Sequence, residues 1–174
     1  RHAGLNPGDR AALFVATGSI SFDLAEMLPL MVSAGAGSGD VADRFRKLSP
    51  LLPFRTLLNL PLGLVSIVYG LHGDNFVLYP DALQGAVCLE TAVRAIRSGR
   101  CRRVLVGGSV QHLSLLPLAT LANHEPLPAD PREVQPHEPE HLGLAPADLA
   151  AFLVLESCAT ARERGARPYA TLEA

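Results

Sequence analysis

Short apolar runs alternate along this chain with longer segments of helical periodicity. Ala11–Ala16 is an unbroken apolar run closed by Thr17-Gly18, the pattern of a strand buried on both faces. A helical pattern follows from Phe22 to Val32, and Ser33–Gly39 is a glycine-rich connector. Asp40 is placed to cap a short helix through Lys47, and Asn59 to cap an apolar helix running to Tyr69. Pro61 falls in the first turn of that second helix and Gly70 lies just past its end. Asn75–Tyr79 reads as a strand closed by Pro80. From Ala82 to Ser98 polar residues recur at Gln84, Glu90, Thr91, Arg94 and Arg97, which predicts a mostly buried helix ended by Gly99. Arg103–Val106 is a further buried strand, stopped by Gly107-Gly108. The stretch from Pro126 to Pro146 is rich in Pro, Glu and His and predicts loop. Ala151–Leu155 reads as a strand, followed by a short helix to Gly165 and a last strand beginning at Tyr169. Strands alternating with helices predict an α/β layered fold whose sheet is mostly parallel and flanked by helices.

Composition narrows the class. The 174 residues are 48% hydrophobic and 18% charged, which argues for a substantial core and against disorder. Aromatics are 5% and Trp is absent, so Leu, Val, Ile and Ala must build that core. A formal net charge of -2 gives no electrostatic reason to expect nucleic acid or an anionic membrane. Apolar stretches are broken by Pro, Gly or charge before they reach membrane-spanning length. Cys88, Cys101 and Cys158 are odd in number and widely spaced, with no paired metal or redox motif. With no signal peptide in view, the expected compartment is the cytoplasm.

Three motifs invite chemistry and are better explained without it. His137-Glu138-Pro139-Glu140-His141 matches a zinc-protease pattern by letters, yet Pro136 and Pro139 oppose the regular helix that the ligand geometry requires. No metal or other cofactor is expected. Gly35, Gly37 and Gly39 lack the following glycine and preceding strand of a dinucleotide loop. Arg100, Arg102 and Arg103 form a short basic turn, to be read as a solvated turn or as a contact to an acidic partner.

The block from Asn59 to Gly108 resembles the β-ketoacyl synthase family. Asn59, Gly73-Asp74-Asn75, Gly85, Gly99 and Gly107-Gly108 stand where that family has its Asn-led helix, its Gly-Pro-Asn/Ser, the Gly of Cys-x-x-Gly, a helix-ending Gly and Gly-Gly. Gly143 falls within a segment like the family's Pro-Phe-Asp…Gly-Glu-Gly…Leu-Glu, and Arg164-Gly165-Ala166 with Tyr169-Ala170 resembles its continuation. The resemblance implies a thiolase-like layered fold of αβαβα type. It further implies that residues 1–174 are a partial N-terminal domain with the C-terminal half absent. The start at Arg1 and the stop at Ala174 fit a fragment.

In that family a cysteine at the first turn of the buried helix takes the acyl chain from a carrier protein, its thiolate favoured by the helix dipole. Counting three residues back from Gly85 or seven on from Asn75 reaches Ala82. A methyl group cannot form a thioester, so no catalytic residue is assigned. Pro80-Asp81 replaces the usual Thr-Ala and Ala147-Asp148-Leu149 replaces Gly-Glu-Gly, changes that a single Cys-to-Ala replacement would not bring. The family's two histidines and lysine belong to the C-terminal half, and none of His72, His112, His124, His137 or His141 matches them. Cys88 lies too deep in the helix to replace the nucleophile. The expected function is therefore a non-catalytic, chain-length-factor-like subunit pairing with an active ketosynthase and serving acyl carrier protein. The alternatives are a fragment or Cys-to-Ala mutant of an active β-ketoacyl-ACP synthase, or a module that only binds carrier protein. Ala82, Leu83 and Gln84 are the expected vestigial or tunnel residues, Gln84 partly resembling the Gln of chain-length factors. By the same resemblance, Asn75, Phe76, Val77, Leu78 and Tyr79 form the dimer interface, in a heterodimer or a homodimer.

Overall fold

The computed structural model describes residues 10–18, 46, 48–55, 57–79, 83–124, 127, 128, 130, 134 and 144–172. In these residues the chain forms β1 (Ala12–Thr17), α1 (Leu52–Arg55), α2 (Leu60–Tyr69), β2 (Asn75–Leu78), α3 (Gln84–Arg97), β3 (Arg103–Val110), α4 (Leu115–His124), β4 (Leu149–Glu156) and α5 (Cys158–Glu163). The chain divides into two compact units, one of Arg1–Gly18, Pro61–Ser109 and Ala150–Ala174, the other of Ser19–Leu60 and Val110–Leu149.

The first unit is organised around β1. The strands form one sheet in the order β2-β1-β3-β4, and β1 pairs in parallel with both of its neighbours. Leu13 stands opposite Asn75 and Leu105, and Ala16 opposite Leu78 and Gly108. All six residues of β1 are buried. Their alternation sends Ala12, Phe14 and Ala16 to one face, where Cys88, Ala92 and Ala95 of α3 pack with Val104 and Val106. Leu13 and Val15 go to the other face, against Leu62 and Val65 of α2 with Leu71 and Leu105. Each fully buried Leu, Val or Phe contributes about 1.5–3 kcal/mol, so this six-residue strand is the densest source of stability in the unit.

Helix α3 buries Cys88, Ala92 and Ala95, spaced four and three apart on one stripe, and exposes Glu90, Arg94 and Arg97. The expectation of a mostly buried helix narrows to that stripe. Small residues there let the helix lie close to the strands. Gly70, Gly99 and Gly165 adopt φ of 59°, 72° and 68° and close α2, α3 and α5, as their positions in the sequence predict. Ser157 caps α5 by accepting a hydrogen bond from the Thr160 amide at 3.1 Å. Behind α5, Arg164 Nε donates to both carboxylate oxygens of Glu156 at 3.0 Å, which raises the guanidinium pKa further.

Several expectations change. β3 does not stop at Gly107-Gly108 but runs through both glycines to Val110. A side chain at Gly107 would meet the backbone of Ala151 and Phe152, and one at Gly108 the carbonyl of Ala16, so these glycines let neighbouring strands close up rather than end the strand. The strand predicted to begin at Tyr169 is not formed among the described residues, where Tyr169 is 95% exposed and lies outside any strand. α1 and α4, in the second unit, were not legible as helices. In α4, Pro117 sits in the first turn, where it costs no hydrogen bond. The helix predicted for 22–32, the connector 33–39, most of the helix predicted for 40–47 and the segment 137–141 lie outside the described residues.

Two glycines should respond oppositely to alanine. Nothing lies within 4 Å of a methyl at Gly63 in α2, so Gly63→Ala should stabilise the chain by ~0.5–1 kcal/mol. At Gly73 the methyl would sit 2.5 Å from the Ala11 carbonyl oxygen, so Gly73→Ala should destabilise by ~1–3 kcal/mol. Urea denaturation of the two variants measures both shifts.

Candidate functional site

α2 and α3 cover opposite faces of β1, so the two helices next to this strand lie on opposite sides of the sheet. In open α/β sheets such a divergence opens a crevice beyond the carboxyl ends of the strands. Here that end is drawn together by two hydrogen bonds. Thr17 Oγ1, in a residue 3% exposed, donates to the Leu78 carbonyl at 3.3 Å. The Gly18 amide donates to the Ser109 carbonyl at 2.9 Å. β2 then leads within a few residues to α3, so the amino end of α3 opens at the carboxyl side of the sheet.

Leu83 is the N-cap of α3: its carbonyl accepts from the Val87 amide at 3.0 Å, but its side chain makes no capping hydrogen bond. The amino end of a helix carries about half a positive charge. Leu83 is 66% exposed there and Gln84 is half-buried. Ala82 lies outside the described residues, together with Pro80 and Asp81. Its chemistry is nevertheless set by its identity, because the field of the helix end has no ionisable group to act on at a methyl.

Cys88 is one turn further in and is 1% exposed. It packs among Phe14, Ala92 and Val104 rather than toward the helix start, and burial pushes its thiol pKa up. That environment suppresses the thiolate, as the sequence suggested. Cys101 also sits against the core, its pKa raised chiefly by burial, with Arg100 lowering it and Asp74 raising it.

β2 forms an outer strand of the sheet. Phe76 stacks edge-on against Phe14 with ring centroids 5.8 Å apart, yet remains 39% exposed, and Tyr79 is 62% exposed. Asn75 is exposed, whereas Val77 and Leu78 are half-buried. At the amino end of the same strand a shallow depression of about 330 Å³ is lined by Phe14, Asp74, Asn75, Phe76, Thr91 and Arg100. It lies at the opposite end from the start of α3, and Arg100 Nε is already held by Asp74 at 3.1 Å, so it carries no chemistry. Arg102 is likewise paired with Glu163. Two of the three arginines of the basic turn thus face acids of this chain, which favours the solvated-turn reading over a docking patch.

The sequence pattern marks Thr17 only as the polar residue closing an apolar buried run, and neither its bond across to Leu78 nor the role of Asp148 follows from it. Asp148 Oδ1 accepts from the His112 amide at 2.8 Å and the Leu113 amide at 3.0 Å, a contact across more than thirty residues without a local signature. Among the described residues no group of three or more His, Cys, Asp or Glu is placed to hold a metal ion. No helix among them is long and apolar enough to cross a membrane.

Comparison with known proteins agrees with this geometry. The family model described as "Beta-ketoacyl synthase, N-terminal domain" matches residues 1–161. A mitochondrial 3-oxoacyl-[acyl-carrier-protein] synthase of Arabidopsis thaliana is 29% identical over 157 residues, covering 81% of this chain and 34% of that protein. The ishigamide ketosynthase/chain length factor superposes with a TM-score of 0.70 at 22% identity, covering 92% of this chain and 38% of the other. A type II PKS acyl-carrier protein in complex with its ketosynthase bound to the hexaketide gives a TM-score of 0.68 at 21% identity, over 94% and 43%. The chain therefore spans about a third of the length of its curated relative. With the family model matching residues 1–161, the chain belongs to the β-ketoacyl synthase family through that family's N-terminal domain.

Proposed function

We propose that this chain is a non-catalytic, chain-length-factor-like subunit that pairs with an active β-ketoacyl-ACP synthase in fatty acid or polyketide biosynthesis. The observation that carries the reading is the identity of residue 82, alanine at the position that by resemblance matches the family's nucleophilic cysteine. The burial of Cys88 supports it, because the nearest thiol on α3 points into the core. The partner would supply the cysteine and histidines and receive acyl groups from acyl carrier protein. Leu83 and Gln84, at the opening of α3, would help shape the space for the growing chain. β2, through Asn75–Tyr79, would supply the pairing edge, since it ends the strand order among the described residues. The pair would work in the cytoplasm.

A second reading is a piece of an active synthase, native or with its cysteine replaced. The observation in its favour is that the chain spans 34% of the Arabidopsis synthase. Intact mass of the native protein separates the two readings, because the second requires a longer chain carrying Cys at position 82.

Purified alone and given malonyl- and acyl-carrier protein, the chain should release no condensation product; product formation would sink the proposal. Co-expressed with an active ketosynthase, it should form a 1:1 complex by native mass spectrometry. Gln84→Trp in that complex should shorten the product by at least one two-carbon unit, as read by mass spectrometry of the released acyl chains. In thiol labelling, exposed Cys158 should react within minutes while Cys88 reacts only at the rate of unfolding.

A further inference from the structure

Among the described residues of the second unit, the Asp148 carboxylate makes a long-range polar contact. One oxygen, Oδ1, accepts from two successive amides, His112 at 2.8 Å and Leu113 at 3.0 Å. These amides lie in the turn between the end of β3 at Val110 and the start of α4 at Leu115. No helix or strand ladder includes residues 111–113, so a backbone carbonyl does not hold these amides in place. Asp148 itself immediately precedes β4, which begins at Leu149. A carboxylate accepting two amides makes charge-assisted bonds, roughly twice as strong as neutral ones.

We propose that the Asp148 carboxylate pins the His112–Leu113 backbone and so holds the turn that precedes α4. Its neighbours Ala147 and Leu149 lack the glycine freedom expected at this triplet, yet the acid between them has a definite task. That task is structural and does not depend on whether the chain pairs with a ketosynthase. The surroundings of the pin are apolar on the turn side, where Leu113, Leu115 and Leu116 are exposed. Without the carboxylate, nothing polar in the described contacts of this turn would hold its amides against water.

Hydrogen exchange of the full chain, read at single amides, tests the assignment. Asp148→Ala should speed exchange at His112 and Leu113 by about tenfold while the β1 amides stay unchanged. Asp148→Asn keeps an acceptor oxygen without the charge and should restore most of the protection, whereas Asp148→Leu, similar in size but without an acceptor, should not. Unchanged exchange at His112 and Leu113 in Asp148→Ala would overturn the proposal. So would a uniform increase that includes β1, or protection restored equally by leucine. None of these outcomes depends on acyl transfer or on a partner, so the proposed function stands or falls separately.

Discussion

The burial of β1 on both faces and along both edges is the constraint from which the rest of the first unit follows. A strand enclosed in this way must be apolar throughout, must find parallel partners on each side and must be covered by a helix above and below. Ala12–Ala16 meet the first condition, β2 and β3 the second, and α2 and α3 the third. The single polar residue at its end, Thr17, is buried but satisfied by the Leu78 carbonyl. That bond ties the end of the central strand to the end of its neighbour, where the chain turns toward α3.

Close approach is the second theme, and it explains why small residues stand where they do. Ala92 and Ala95 bring α3 down onto the strands, and Gly107 and Gly108 let β3 lie between β1 and β4 without side chains in the way. The same geometry separates the start of α3 from Cys88, the thiol this helix carries. A residue at the start of α3 would experience the positive end of the helix, whereas Cys88 on the inner stripe experiences only desolvation. Position along one helix, a single turn, decides between a reactive thiol and an inert one.

The proposed function rests on the identity of residue 82 and on the accessibility of what surrounds it. Leu83 and Gln84 remain accessible at the helix start, and β2 remains accessible at the sheet edge. Under the proposed function, a chain that keeps this fold without the nucleophile would still offer a surface and a wall to a partner. Membership of the family is secured by the match over residues 1–161, while the distant structural likenesses at 21–22% identity speak for the fold alone.

The sequence by itself determined the elements with strong local signals: the buried strand ending at Thr17, the glycine-ended helices α2 and α3, the family of the Asn59–Gly108 block, and the absence of a thiol at residue 82. The strand and helix signals depend on residues within one or two turns of each other, so periodicity is enough for them, whereas the family of the Asn59–Gly108 block rests on the resemblance of its motifs. Tertiary structure alone decided that β3 continues through Gly107-Gly108, that no strand forms at Tyr169, that Cys88 points inward and that Asp148 reaches His112 and Leu113. In each of those cases the outcome depends on what another part of the chain presents: a backbone needing room, a neighbour to pair with, a face to pack on, or two amides in want of an acceptor.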